Sequence, residues 1–207
     1  MTIKDAKRNF LVSEATDLFL ERSISDVTIK DIARRSGLGE ATIYRYFSGR
    51  TELIVACALK LQSQVGEKFL SLKEETTGYE RLTAFYGAFL ETFEQHPELY
   101  RFLSEFDAYC INVKAPLDEY ADHMDQFKVA FVHAYKDGLH DRSVRPVEHL
   151  DLFYYSTTHA VLSLCKKLAV EGAVVRQDET TDKRMEVKTL IDLILSSLKS
   201  NSFSTAV

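Results

Sequence analysis

Apolar residues recur at spacings of three and four along nearly the whole chain. In 6–21, AKRNFLVSEATDLFLE, Phe10, Leu11, Ala15, Leu18 and Phe19 trace one face, which predicts an amphipathic helix. The stretch 23–27 breaks that pattern. Thr28 then precedes IKDIARRS with Asp31 three places on, close to a capping box, and predicts a second helix over 29–36. Gly37 ends it, where a left-handed backbone is needed. A short third helix is predicted over 40–47 and a longer fourth over 51–73, carrying Leu53, Ile54, Ala56, Cys57, Leu61 and Val65. From there the period stays helical through 79–95, 97–112, 116–139, 147–171 and 183–200. Pro97, Pro116 and Pro146 are each expected in a helix's first turn, where a missing N–H is harmless. The pattern thus predicts an all-α fold of about nine helices, with no strand signal.

Composition agrees. Only 8 Gly and 3 Pro punctuate 207 residues, favouring long helices over many short strands. With 45% hydrophobic residues the chain can bury a core without disulfides or metal. Cys57, Cys110 and Cys165 lie far apart, so reduced thiols are expected. The start, MTIKDAKRNF, has no apolar core of a secretory signal, and no apolar run reaches the ~18–20 residues of a membrane span. A cytoplasmic protein is expected. The net charge of −5 changes meaning when divided: residues 1–50 carry +2 and residues 51–207 carry −7. Only the first segment can approach phosphates without net repulsion.

That segment holds the informative motif, TIKDIARRSGLGEATIYRYFSGRTEL over 28–53. Its spacing fits a helix-turn-helix (HTH). Ala33 allows close helix crossing, Gly37 makes the turn, Leu38 fills the angle, and Ile32, Ile43 and Phe47 form the apolar seam. With those buried, Glu40, Ala41, Thr42, Tyr44, Arg45 and Tyr46 project from the remaining faces. In such a unit the second helix enters the major groove.

Thr28, Ile32, Ala33, Gly37, Leu38, Thr42-Ile43-Tyr44, Tyr46-Phe47, Arg50 and Glu52-Leu53 make 8–56 resemble the TetR/AcrR family of regulators. The resemblance implies that Thr28 caps the backbone-abutting helix and lies near a phosphate. It implies phosphate contacts from Thr42, Tyr44, Tyr46 and Arg50, and places Glu40, Ala41 and Arg45 at base edges. An arginine there favours guanine and a glutamate can accept from cytosine. Glu40 departs from the more usual neutral or basic residue, and Gly39 stands where a capping serine often sits, leaving the third helix less firmly capped. Other readings stay open: Tyr44 and Tyr46 could pack on the first helix, Arg34 and Arg35 could be solvated charges, and Lys4, Lys7 and Arg8 could form a phosphate-touching arm or a frayed end.

By this reading 1–50 is an HTH DNA-binding domain, and 51–207, entered through helix 51–73, is a larger helical ligand-sensing and dimerisation domain. Aromatic residues stripe the later helices, and a stripe of aromatics is either core or pocket. The resemblance implies an effector cavity; the candidates are Phe89, Phe93, Phe106, Cys110, Phe127, Phe131, Tyr155 and His159, with a mostly apolar or aromatic small molecule as ligand. One HTH binds weakly, so a homodimer reading two half-sites is expected. The resemblance puts its interface on the last two helices, with Phe153, Val161, Leu164, Leu168, Val187, Leu190, Ile191, Ile194 and Leu198 as candidates. The implied function is a repressor that binds a palindromic operator in double-stranded DNA and is released by its effector. No catalytic motif appears, and Cys110 with His123 or His159 is a poor nucleophile–base pair. His96, Glu119, Asp122 and His123 lack compact metal-ligand spacing, so no enzyme activity, cofactor, metal site or membrane partner is expected.

Overall fold

A computed structural model describes residues 2–70, 76–170 and 180–200. The described residues form nine α-helices and no strand. They are α1 (Ile3–Glu21), α2 (Ile29–Ser36), α3 (Glu40–Tyr46), α4 (Arg50–Leu70), α5 (Gly78–Gln95), α6 (Pro97–Val113), α7 (Asp118–His140), α8 (Leu150–Ala169) and α9 (Lys183–Leu198). A 3₁₀ turn, Ile24–Asp26, occupies the break between α1 and α2. The ends expected for the fourth and eighth helices, at 73 and 171, lie outside the described residues.

Helix starts follow their side chains. Thr2, Thr28 and Thr77 each accept a hydrogen bond from the N–H three residues on, while Asp5, Asp31 and Glu80 reach back to the cap N–H. Each pair satisfies donors that the first helical turn leaves free. Pro97 opens α6 as expected, but Pro116 and Pro146 lie upstream of α7 and α8. For Pro146 the cause is visible. The backbone just before it is extended: Val144 pairs with Lys199 in an isolated antiparallel bridge, and the Arg145 N–H donates to the Leu198 carbonyl. A residue preceding proline is sterically pushed to that extended form.

The chain divides into two compact units, one spanning 1–64 and 98–123, the other 65–97 and 124–207. The first thus takes in α6 as well as α1–α3. Its core holds Leu11, Ala15, Phe19, Val27, Ile32, Ile43, Phe47, Leu53 and Cys57. Phe10, expected on the apolar face of α1, is instead exposed. In the second unit α5, α8 and α9 pack on one another around Leu82, Phe85, Tyr86, Phe131, Val161, Cys165, Val187 and Leu198. Here α5 and α7 approach as closely as backbone allows. A Cβ on Gly78 would lie 2.0 Å from the Gly138 nitrogen, so only glycine fits.

Candidate nucleic-acid interface

The α2–α3 pair is fixed at three points. At its start, the Thr28 hydroxyl accepts from the Asp31 N–H at 3.2 Å, and the Asp31 carboxylate accepts the Thr28 N–H at 3.0 Å. The Thr28 hydroxyl, then its N–H, hold the Asp31 carboxyl below the usual carboxylate range. At the turn, Gly37 has φ +67°, a left-handed conformation that side chains with a Cβ resist. At the far side, Ile43 and Phe47 are buried and anchor α3. As expected, Gly39 caps α3 with no side-chain bond.

Burying Ile43 and Phe47 decides what α3 presents. Glu40, Ala41, Tyr44 and Arg45 are exposed, while Thr42 and Tyr46 are half-buried. Tyr44, at 54% exposure, does not pack into α1. The Arg45 guanidinium lies 5.4 Å from the Tyr46 ring centroid and reaches no carboxylate among the described residues. Glu40 does not pair with it.

Other arginines are committed within the chain. Arg35 makes a two-pronged pair with Glu21 at 3.0 and 2.9 Å and lies 3.6 Å from Glu14. Arg34 is 3.7 Å from Asp31. Arg8, which lies in α1 with the exposed Lys4 and Lys7, sits over the Phe47 ring at 4.9 Å. Arg50 departs furthest from expectation. Its Nε donates to the Val27 carbonyl at 3.1 Å, its Nη2 donates to the Ile24 carbonyl, and its guanidinium covers the Tyr109 ring. The next turn is tied by Glu52, which accepts the Ser48 N–H at 2.7 Å and its hydroxyl at 2.8 Å.

Three further residues of the unit are invisible in the motif: Arg101, Glu105 and Tyr109 of α6. Arg101 reaches the Leu20 carbonyl at 2.5 Å, Glu105 accepts the Ile24 N–H at 2.5 Å, and Tyr109 shares a hydrogen bond with Thr51 at 2.8 Å. Their spacing of four is legible, but nothing in sequence says what they face.

Residues 11–57 match the family described as bacterial regulatory proteins, tetR family. Over that segment the chain is similar to the DNA-binding region of the TetR family. A relative named HTH-type transcriptional activator FasR, from Mycolicibacterium smegmatis, is 28% identical over 105 residues, half of this chain and 48% of FasR's own length. Among solved structures, a TetR-family regulator from Mesorhizobium loti aligns over 96% of this chain and all of its own, with TM-score 0.72 and 14% identity. The ketosteroid transcriptional regulator KstR2 of Mycobacterium tuberculosis covers 94% of this chain and 96% of its own, with TM-score 0.65 and 18% identity. The structural likeness shows that the TetR-family fold, an N-terminal HTH domain followed by a helical domain, extends over nearly the whole chain. The relatives are regulators rather than enzymes. Cys110 fits that: burial, then Asp107, pushes its thiol up to about 11, away from a reactive thiolate.

The eight pocket candidates are divided between the two units. Phe89 and Phe131 belong to a cluster of edge-on rings in the second unit. Phe69 lies 4.8 Å from Phe89 and 5.3 Å from the half-buried Phe127, and Phe131 lies 5.6 Å from Phe85. Phe93 is buried on the same face of α5. Phe106 and Cys110 belong to the other unit, where Phe106 packs on Phe102 and Tyr120. Tyr155 and His159 correct the expectation: both are exposed on α8, with the Tyr155 hydroxyl accepting from Lys128 at 3.3 Å. A polar tip beside apolar residues is read equally well as the outer edge of a helix.

The interface candidates need a similar correction. Val161, Leu168, Val187, Ile191, Ile194 and Leu198 are buried within their own chain, while Phe153, Leu164 and Leu190 are half-buried. The large apolar residues that the same helices expose are Leu152, Tyr155, Met185 and Leu193.

Proposed function

We propose that this protein is a one-component transcriptional regulator that binds a palindromic operator as a homodimer and is released by a small, mostly apolar effector. The observation that carries it is the outer face of α3. Glu40, Ala41, Tyr44 and Arg45 stand exposed on a helix anchored from behind by Ile43 and Phe47. A short, rigidly held helix with a polar outer face fits a major groove some 12 Å wide. Arg45 reads guanine, Glu40 accepts from cytosine, and Thr28, Thr42, Tyr44 and Tyr46 approach phosphates. Arg50 serves this face from behind, by fixing the backbone at Ile24 and Val27.

Dimerisation follows from the weakness of a single HTH and from the exposed Leu152, Tyr155, Met185 and Leu193 on α8 and α9. In the larger domain the aromatic cluster of α5 and α7, with Phe89, Phe93, Phe127 and Phe131, offers the surface for an apolar or aromatic effector. Effector binding changes the separation of the two reading heads of the dimer, which lose the half-site spacing. The protein acts in the cytoplasm as a repressor. A second outcome, activation, is favoured by one observation: the relative FasR is named an activator.

The test is selection from a random duplex library with the purified chain, then titration of the recovered duplex over a salt series. A recovered palindrome and a steep fall in affinity with salt are expected. Recovery of no sequence, or a slope near zero, ends the reading. A reporter downstream of the recovered duplex separates repression from activation.

A further inference from the structure

We propose that α6 sets the reading head for DNA through three side chains outside the HTH motif, Arg101, Glu105 and Tyr109, which act as positioning residues for operator recognition. The inference rests on the DNA-binding reading above. The three residues lie four apart and therefore share one face of α6. At one end the Arg101 guanidinium donates to the Leu20 carbonyl at 2.5 Å and the Phe19 carbonyl at 3.3 Å. These belong to the last turn of α1, whose carbonyls have no partner within the helix. In the middle Glu105 accepts the Ile24 N–H at 2.5 Å and the Ser23 hydroxyl at 3.0 Å, and holds Arg101 at 3.2 Å. At the other end Tyr109 bonds Thr51 at 2.8 Å and lies under the Arg50 guanidinium, which in turn holds the Ile24 and Val27 carbonyls.

The corner between α1 and α2 is therefore gripped from outside. Its backbone groups at Phe19, Leu20, Ile24 and Val27 are met by side chains of α6 and of the first residue of α4. Most of these bonds involve a charged partner, which makes them short and directional. Val27 directly precedes Thr28, the cap of α2, so the corner fixes where α2 begins. Through Gly37 that fixes the direction of α3 and of Arg45. None of the three α6 side chains is assigned to base or phosphate.

The test titrates the full chain with the duplex recovered by selection and with a scrambled duplex of the same length, over a salt series. Variants are Arg101→Met, Glu105→Gln and Tyr109→Phe. The first two are expected to lower affinity for the selected duplex about fivefold or more. Binding to the scrambled duplex and the salt slope stay as in the parent, because no phosphate contact is lost. The double variant Arg101→Met/Glu105→Gln loses less than the two single losses combined, since both residues hold one corner. Exchange of the Ile24 amide hydrogen speeds up in Glu105→Gln. Tyr109→Phe deletes one hydroxyl and gives a smaller loss of the same kind; it keeps the test open should Glu105→Gln not fold. A purely structural role lowers binding to both duplexes alike, through the folded fraction, and that result overturns the proposal. So does parental affinity in folded variants, or a salt slope that drops by about one in Arg101→Met, the mark of a direct phosphate contact. A parent that binds no duplex overturns the DNA-binding reading as well; a parent that binds while every variant matches it overturns this inference alone.

Discussion

Arg45 and Arg50 are near neighbours in sequence and do opposite work. Arg45 extends from the outer face of α3, while Arg50 is spent on the Ile24 and Val27 carbonyls. Their truncations should separate. Arg45→Ala is expected to leave thermal stability unchanged and to cost about 1–3 kcal/mol of operator binding, with discrimination relaxed at one base pair. Arg50→Ala is expected to cost stability, about 1.5–3 kcal/mol for hydrogen bonds from a charged donor, and to affect DNA through the corner it holds. Denaturant titration and duplex titration on both variants check this; equal stability loss in the two sinks the distinction. The burial of Ile43 and Phe47 was legible because an HTH motif is short and its spacing local. The fate of Arg50 was not, because its partners come from the corner before α2 and from Tyr109, 59 positions along the chain.

At the scale of elements, local rules carry most of the weight. The three capping boxes are written as Thr followed three residues on by Asp or Glu, and the Thr28 box was read from sequence on that ground. Thr28→Ala is expected to cost about 1 kcal/mol, the usual loss of a capping hydroxyl, measured by chemical denaturation. The same boxes set a pH dependence. Thr28 lowers Asp31 chiefly through its hydroxyl, whereas Thr2 and Thr77 lower Asp5 and Glu80 chiefly through backbone N–H groups. A carboxylate depressed in the folded state takes its proton later than in the unfolded chain. Its stabilisation is complete above the ordinary values, 3.8 for Asp and 4.5 for Glu, and is lost as pH falls through the lower folded ones. Asp31→Asn should flatten the acid limb of a melting-temperature profile; an unchanged limb counts against it. Periodicity placed the helices well, and it misplaced the starts of α7 and α8. The pairing of Val144 with Lys199 joins two distant segments, and no local pattern announces it.

At the scale of the molecule, contacts between distant segments decide, and these the sequence conceals. In sequence Gly78 and Gly138 are two isolated glycines 60 positions apart, yet each is the site where the other's helix comes closest. Gly78→Ala is expected to destabilise by about 1–3 kcal/mol, as overpacked sites do, visible as a lower melting temperature. The last helix shows the same concealment with a functional consequence. Apolar residues surround much of α9, so its period cannot say which side meets its own chain and which a partner. Burial separates them: Val187 is 0% exposed and Leu193 is 62% exposed. If α9 takes part in the dimer, the two faces must respond differently to substitution. Val187→Ala should lower stability by about 1–3 kcal/mol while leaving a dimer at high protein concentration. Leu193→Glu should leave the fold intact and give monomers in sedimentation equilibrium, because a symmetric interface meets each introduced charge twice. That monomer should also lose the palindrome, since one reading head holds only one half-site. A Leu193→Glu chain that remains dimeric moves the interface to another face of the molecule.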